Sequence, residues 1–114
     1  MSNTVVDKSK TFAIRIVRLY QYLCVNCKEL TLSKQLLKSG TSIGANVKEA
    51  IRGQSKADFT AKMNIALKEA SETEYWLEIL HETGYLNDKH YRSIYTDCQE
   101  LLKILYSIVK TSTK

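Results

Sequence analysis

The chain has 114 residues, enough for one modest hydrophobic core, and its 44% hydrophobic and 25% charged residues are typical of a soluble globular protein. It contains no proline and only four glycines, which disfavours a strand-rich fold with many tight turns. The net charge is +5. The polar N-terminus and the lack of an apolar run long enough to span a membrane predict a cytoplasmic protein with no signal peptide and no membrane partner.

Apolar residues spaced three or four apart predict four helices in a single domain of 114 residues. The helices are expected at about residues 8–28, 32–52, 55–83 and 87–111. The second can be read as a loop over residues 39–44, but Leu36, Ile43 and Val47 keep the helical spacing, so we predict a continuous helix. Because the connections are short, we expect an all-α antiparallel four-helix bundle with up-down-up-down topology.

The predicted helix ends carry characteristic residues. Gly53 is expected to end the second helix in the left-handed backbone conformation, and Gly84 is expected to end the third. Ser55 is expected to cap the start of the third helix through its side chain. Either Asn87 or Asp88 is expected to cap the fourth helix.

A polar row follows the same three-four spacing beside the apolar row of the second helix. We name it the polar seam, and its members are Gln35, Ser39, Ser42, Asn46 and Glu49. Polar groups at the margin of a bundle are hydrogen-bonded or solvated, so the polar seam is expected to fix the register between helices. The alternative is that it forms a functional site.

The second helix also carries a motif made of Gln35-Leu36, Ser39, Ser42-Ile43, Asn46-Val47, Glu49-Ala50 and Arg52-Gly53. This motif resembles the central motif of the ribosomal intervening-sequence proteins. These are small four-helix bundles first noticed as reading frames inside intervening sequences of large-subunit ribosomal RNA genes. The resemblance covers about residues 10–110 and adds two residues of the third helix, Ser71 and Glu74, to the polar seam. Further matches are Phe59, Ala66, Leu77 and Gly84-Tyr85-Leu86.

The resemblance has implications for assembly and function. A related group serves as accessory proteins of retroelement reverse transcriptases, binds nucleic acid and forms five-membered rings. The resemblance therefore implies a bacterial homopentamer that associates with nucleic acid. It supplies no catalytic residues.

Two predicted helix faces combine basic and aromatic side chains. Basic groups neutralise phosphates, and an exposed tyrosine stacks on an unpaired base, so we expect a non-enzymatic protein that associates with RNA. The alternatives are an ordinary solvated surface, or a protein–protein interaction scaffold with no nucleic-acid role. The candidate RNA-binding residues are Lys8, Arg15, Arg18 and Tyr22 on the first helix and Arg92, Lys103, Tyr106 and Lys110 on the fourth.

Three apolar residues of the third helix, Ile65, Trp76 and Ile79, lie outside its core-facing row. An apolar patch of this kind marks a contact surface. Residues 57–84 carry two basic and six acidic side chains, whereas the first 56 residues carry ten basic and three acidic. A neighbour that presents its basic half to the acidic helix would bury the patch, so we predict a homo-oligomeric ring assembled head to tail.

The cysteines and carboxylates do not form a recognisable catalytic or metal site. Cys24 and Cys27 are spaced as a Cys-x-x-Cys pair, but they lie on the apolar side of a helix without a second ligand pair, so we expect core thiols. A bridged metal site at Glu49 and Glu74 would need two Glu-x-x-His pairs, and the chain has one. We therefore expect no enzyme activity, cofactor, metal or small-molecule substrate.

Overall fold

Four long helices make up nearly all of the computed structural model, which describes residues 4–113. No strand occurs in this part of the chain, so the prediction of an all-α fold is confirmed. None of the described helices is long and apolar enough to cross a membrane. The helices are α1 (Thr4–Asn26), α2 (Thr31–Ile51), α3 (Lys56–Glu82) and α4 (Asp88–Ser112).

The first helix begins and ends earlier than predicted. α1 starts at Thr4, and the added turn brings Val5 into the buried row. Polar residues around Val5 conceal this extension in the sequence. α1 ends at Asn26, and Lys28 then adopts a left-handed backbone conformation with φ of 57°, which turns the chain towards α2.

The caps of the last two helices agree with the prediction. The Ser55 side chain accepts a hydrogen bond from the backbone N–H of Asp58 at 3.0 Å and caps α3. The Asn87 side chain accepts one from the backbone N–H of His90 at 2.8 Å and caps α4. Between the two helices, Gly84 takes φ of 90°, a conformation that favours glycine.

The ends of α2 are built differently from the prediction. At its start, the Glu29 carboxylate accepts hydrogen bonds from the consecutive backbone N–H groups of Thr31, Leu32 and Ser33, at 3.2, 3.1 and 2.7 Å. At its end, Gly53 is not left-handed, and the predicted reason for a glycine there is wrong. A Cβ at Gly53 would lie 3.1 Å from a carbonyl oxygen of the preceding turn, so limited space favours glycine.

The helix α2 runs unbroken through both of its glycines, as predicted.

Residue pairs in contact between neighbouring helices show that the helices are antiparallel, because residue numbers rise along one helix as they fall along the other. The pairs are Gly40 with Ile16 and Gly44 with Ser9 between α1 and α2, Ser39 with Thr73 and Glu49 with Lys62 between α2 and α3, Glu78 with Tyr95 and Glu74 with Gln99 between α3 and α4, and Lys8 with Glu100 and Arg15 with Asp97 between α4 and α1.

The core lies along the axis of a bundle that measures 44 × 20 × 19 Å. Phe59, which the spacing suggests is buried, is half-buried, whereas the buried Thr73 is not evident from the pattern. Every buried side-chain nitrogen or oxygen atom of residues 4–113 has a hydrogen-bond partner. The largest fully buried apolar side chains are those of Val5, Ile16, Leu23, Leu36, Ile43, Val47, Met63, Leu77, Leu80, Leu101 and Leu105.

Candidate nucleic-acid interface

At the surface of the bundle, α1 and α4 face each other through rows of polar side chains. Of the four neighbouring helix pairs, this one makes the smallest contact. The side chains on each helix recur at intervals of three, four or seven residues, so each set lies on one face. The facing rows are Lys8, Arg15, Arg18 and Tyr22 on α1 and His90, Ser93, Asp97 and Glu100 on α4.

One end of this interface is closed by ion pairs. The Lys8 Nζ lies 3.0 Å from the Glu100 Oε2, and the Arg15 Nη1 lies 2.7 Å from the Asp97 Oδ2. Arg15 also donates a hydrogen bond to the Ser93 hydroxyl at 2.7 Å. Lys8 and Arg15 are therefore each paired with a carboxylate of α4.

The other end of the interface is open. Arg18 lies one turn beyond Arg15, and no carboxylate of the described chain pairs with it. Here α1, α4 and the turn between α3 and α4 surround a crevice of about 300 Å³. Its lining residues are Arg15, Arg18, Leu19, Tyr22, Tyr85, Leu86, Asn87, His90 and Ile94.

Three rings stand at the rim of this crevice. Tyr22 is 49% exposed and Tyr85 is 36% exposed, and His90 is also exposed. The Nδ1 of His90 lies 3.2 Å from the Asn87 amide nitrogen, which helps orient the imidazole. Sequence reasoning found Tyr22 but missed Tyr85 and His90. The antiparallel topology, which brings the end of α1 to the α3–α4 turn, is the signal that would have identified them.

The outer face of α4 carries a second group of basic and aromatic side chains. Arg92, Lys103, Tyr106 and Lys110 are all exposed, with Tyr106 at 60%. Within residues 4–113, none of the three basic side chains forms an ion pair. All four side chains therefore lie at the surface. The pKa of Asp88 is lowered by its hydrogen bond with His81 and further by the charge of Arg92, so Arg92 already interacts with a carboxylate of its own helix.

The polar seam is only partly a contact between helices. The hydroxyl oxygens of Ser39 and Thr73 lie 2.9 Å apart in the buried space between α2 and α3. The half-buried Ser42 donates to the Lys38 carbonyl within its own helix. The half-buried Asn46 likewise donates to the carbonyl of Ser42.

The remaining seam residues are dispersed. Glu49 forms an exposed ion pair with Lys62 of α3 at 2.8 Å. Gln35 and Ser71 are exposed. Glu74 lies on the far side of α3, so Glu49 and Glu74 do not face each other.

Glu74 belongs to a polar cluster between α3 and α4. It accepts a hydrogen bond from the Gln99 side chain, and the Tyr95 hydroxyl donates to Glu78 at 2.9 Å. Burial and these two carboxylates raise the pKa of Tyr95 well above its ordinary value, so the phenol remains protonated at neutral pH. The cluster therefore consists of two neutral donors of α4, Tyr95 and Gln99, and two carboxylate acceptors of α3, an arrangement that holds α3 to α4.

The predicted apolar patch on α3 is less exposed than its spacing suggests. Ile65 is 39% exposed, whereas Trp76 and Ile79 are half-buried, and Trp76 packs against the core. The indole N–H of Trp76 donates to Glu72 at 3.1 Å. A bundle helix contacts two neighbours, so residues about 100° from its central row are partly covered. Exposed apolar side chains also occur on α1, namely Ile14, Val17 and Val25.

The three cysteines are free thiols, and in the described part of the chain none of them belongs to a group of side chains that could hold a metal ion. Cys98 is buried between α3 and α4, and burial, together with nearby carboxylates, raises its pKa to about 12. Cys24 is half-buried on α1, and Cys27 is half-buried just after the end of that helix. Among residues 4–113, no group of three or more His, Cys, Asp or Glu side chains is placed to hold a metal ion.

The sequence matches a described family over almost its whole length. The model for the 23S rRNA-intervening sequence protein matches residues 1–107. The fold is similar, with a TM-score of 0.93, to the crystal structure of a protein of unknown function from the S23 ribosomal protein family of Bacteroides thetaiotaomicron VPI-5482. The two sequences are 57% identical over 94% of this chain and 99% of that one. None of the curated proteins matches the chain.

Proposed function

The chain belongs to the family of 23S rRNA-intervening sequence proteins, and from that membership we propose that it is a non-enzymatic protein that associates with RNA. The family name connects the protein with ribosomal RNA genes. The composition adds a net charge of +5, which favours contact with a polyanion. The bacterial origin of the similar structure supports a bacterial source for this chain as well.

The observation that carries the proposal is the pairing of unneutralised cations with exposed tyrosines. On α4, Lys103 and Lys110 flank Tyr106 at helical spacing, so all three side chains lie on one face. On α1, Arg18 lies beside Tyr22 at the open crevice. Cations contact phosphates, and tyrosine rings stack on unpaired bases, so each group offers both kinds of contact that a single RNA strand requires.

The acidic side of the bundle is excluded from this interface. Glu72 and Glu82 are exposed on α3, and Glu74 and Glu78 line its contact with α4. A phosphate backbone is repelled by this surface. The RNA is therefore expected to lie on the α1 and α4 faces, away from α3.

RNA binding is tested by fluorescence anisotropy with a labelled single-stranded RNA over a series of salt concentrations. In the variants Lys103→Glu and Lys110→Glu, we expect weaker binding and a shallower salt dependence, by about 0.7 in the logarithmic slope for each lost phosphate contact. Lys68→Glu, which reverses one exposed lysine of the acidic α3, is the control matched in charge to each of them and is expected to change both quantities far less. Binding that is insensitive to salt, or equally affected by all three variants, would contradict the proposal.

We also propose that the protein assembles into a ring of identical subunits. The support is the exposed Ile65 on the acidic α3 and the exposed Ile14, Val17 and Val25 on the basic α1, since two different surfaces of this kind join head to tail. Such an assembly without RNA binding would favour a protein interaction scaffold.

Light scattering measures the assembly directly. Ile65→Glu is expected to reduce the mass towards that of a 13.0 kDa monomer, whereas Ile51→Glu, at the exposed end of α2, is the matched control. Trp76→Glu is less suitable because the half-buried indole also packs against the core of its own bundle. A parent protein that is monomeric at micromolar concentration would contradict assembly.

A further inference from the structure

The open crevice between α1 and α4 combines an apolar floor with a charged and aromatic rim. Its floor is formed by Leu19, Leu86 and Ile94, of which Leu86 and Ile94 are almost fully buried. Its volume of about 300 Å³ is at the small end of the range for ligand sites. The crevice therefore has room for one small flat group and its substituents, and no room for a helix.

The charge at the crevice is set by a difference between two arginines one turn apart. Arg15 is neutralised by Asp97 and hydrogen-bonded to Ser93. No carboxylate of residues 4–113 lines the crevice, because the residues there that come from α4 and the turn before it include Asn87, His90 and Ile94. Arg18 therefore leaves one uncompensated guanidinium at the rim, where it favours an anionic ligand.

The rings at the rim offer unoccupied faces. Tyr22 and Tyr85 come from different elements, and neither is stacked on another ring of the described chain. By contrast, the rings of the nearby His81 and Tyr91 are stacked with their centroids 3.9 Å apart, so the faces that they turn to each other are already covered. Two unstacked tyrosines beside a guanidinium resemble the surfaces that hold unpaired bases.

We propose that this crevice binds one unpaired nucleotide of an RNA strand, with the base against Tyr22 and Tyr85 and the adjacent phosphate on Arg18. The inference rests on the proposed RNA association and specifies its ligand as a single-stranded segment. In duplex RNA the bases are stacked and paired, so they do not enter a crevice of this size. The exposed cations of α4 contact phosphates in either form of RNA, whereas the crevice discriminates between the two forms.

The test compares a short single-stranded RNA with a blunt duplex of the same length in the full-length protein. Tyr22→Ala is expected to weaken single-strand binding by about tenfold, the loss typical of one stacking contact, and to leave duplex binding unchanged. Tyr22→Phe keeps the ring and is expected to restore binding. Tyr75→Ala, which removes a 55% exposed tyrosine from the acidic α3, is the matched control. Thermal melts check that each variant is folded.

A single-stranded RNA containing 2-aminopurine reports stacking directly. Its fluorescence is expected to decrease on binding to the parent and much less on binding to Tyr22→Ala. Arg18→Gln is expected to weaken the binding of single-stranded and duplex RNA alike. If Tyr22→Ala binds single strands as well as the parent does, the crevice proposal is overturned, although binding that depends on salt, Lys103 and Lys110 would still support RNA association. If a free nucleoside monophosphate binds the crevice and the RNA strand does not, the strand assignment is overturned.

Discussion

The two sides of α1 are built on different principles. Towards α2, Gly40 allows such a close approach that a Cβ there would lie 2.8 Å from both γ carbons of the fully buried Ile16. Towards α4, exposed ion pairs such as that of Arg15 with Asp97 span the interface, and a crevice remains beside Arg18. Tight backbone packing therefore fixes α1 to α2 at Gly40, whereas charges at the surface join α1 to α4 beside the open crevice.

The largest expected effect is on the tightly packed side. Gly40→Ala is expected to lower the free energy of unfolding by about 1–3 kcal/mol, because the stiff branched side chain of Ile16 must move. Gly44→Ala is the matched control, since its Cβ would lie 3.4 Å from the Ser9 backbone, an ordinary contact, and alanine favours the helix. Thermal melts compare the two, and equal melting temperatures would show that the approach of α1 to α2 is not tight.

The turn from α1 to α2 offers a pH-dependent test of the same side. Partial burial opposes ionisation of Glu29, but its hydrogen bonds from three backbone N–H groups and the Ser33 hydroxyl lower the pKa below the ordinary value of 4.5. A lowered carboxyl pKa stabilises the fold above pH 4.5, and this contribution disappears as the pH falls through the folded-state pKa.

Glu29→Gln is therefore expected to cost about 1 kcal/mol at pH 7, similar to the loss of a helix cap, and progressively less below pH 4.5. Urea unfolding of both proteins at pH 7 and pH 3 measures the difference. Glu82→Gln, at an exposed position at the end of α3, serves as the control. A difference between Glu29→Gln and the parent that is the same at both pH values would show that the carboxylate does not act as a cap.

The polar seam is expected to show a smaller contrast. Ser39 meets Thr73 in a buried contact between helices, whereas Ser42 bonds to a carbonyl of its own helix at a half-buried position. Ser39→Ala is expected to cost about 0.5–1.5 kcal/mol, because one hydrogen bond is lost while Thr73 keeps the Glu69 carbonyl. Ser42→Ala is expected to remain within about 0.5 kcal/mol of the parent. Equal losses in urea unfolding would indicate that burial does not distinguish them.

The sequence predicts the α2 side of α1 better than the α4 side. Apolar spacing is a property of one helix, so Ile16, Leu36 and Ile43 identify themselves as core without knowledge of their neighbours. The partner of Arg15 is 82 residues away, and helical spacing alone does not say which basic residues face a carboxylate. The surroundings of Glu74 could not be predicted for the same reason. The resemblance indicates that residue 74 belongs to the family pattern, but it does not indicate that the side chain faces α4.

The closed end of the α1–α4 interface offers the smallest change in stability and the sharpest test of the comparison. Asp97→Asn with Glu100→Gln removes the acidic partners of Arg15 and Lys8. Both pairs are exposed, so each loss is expected to cost only about 0.2–1 kcal/mol in unfolding free energy. The freed Lys8 and Arg15 would then join Arg18 in a row of unpaired cations along α1.

If α4 carboxylates are what withhold Lys8 and Arg15 from RNA, the double variant binds single strands more tightly than the parent does. Its logarithmic salt slope is then steeper by about 0.7 for each new phosphate contact, up to two contacts. The variant Glu72→Gln with Glu82→Gln removes the same charge from α3 without freeing a cation that faces α4, so it separates local release from a general increase in net charge. Equal gains in both double variants would mean that overall charge governs binding. A gain confined to Asp97→Asn with Glu100→Gln would mean that the ion pairs set the length of the RNA-binding face.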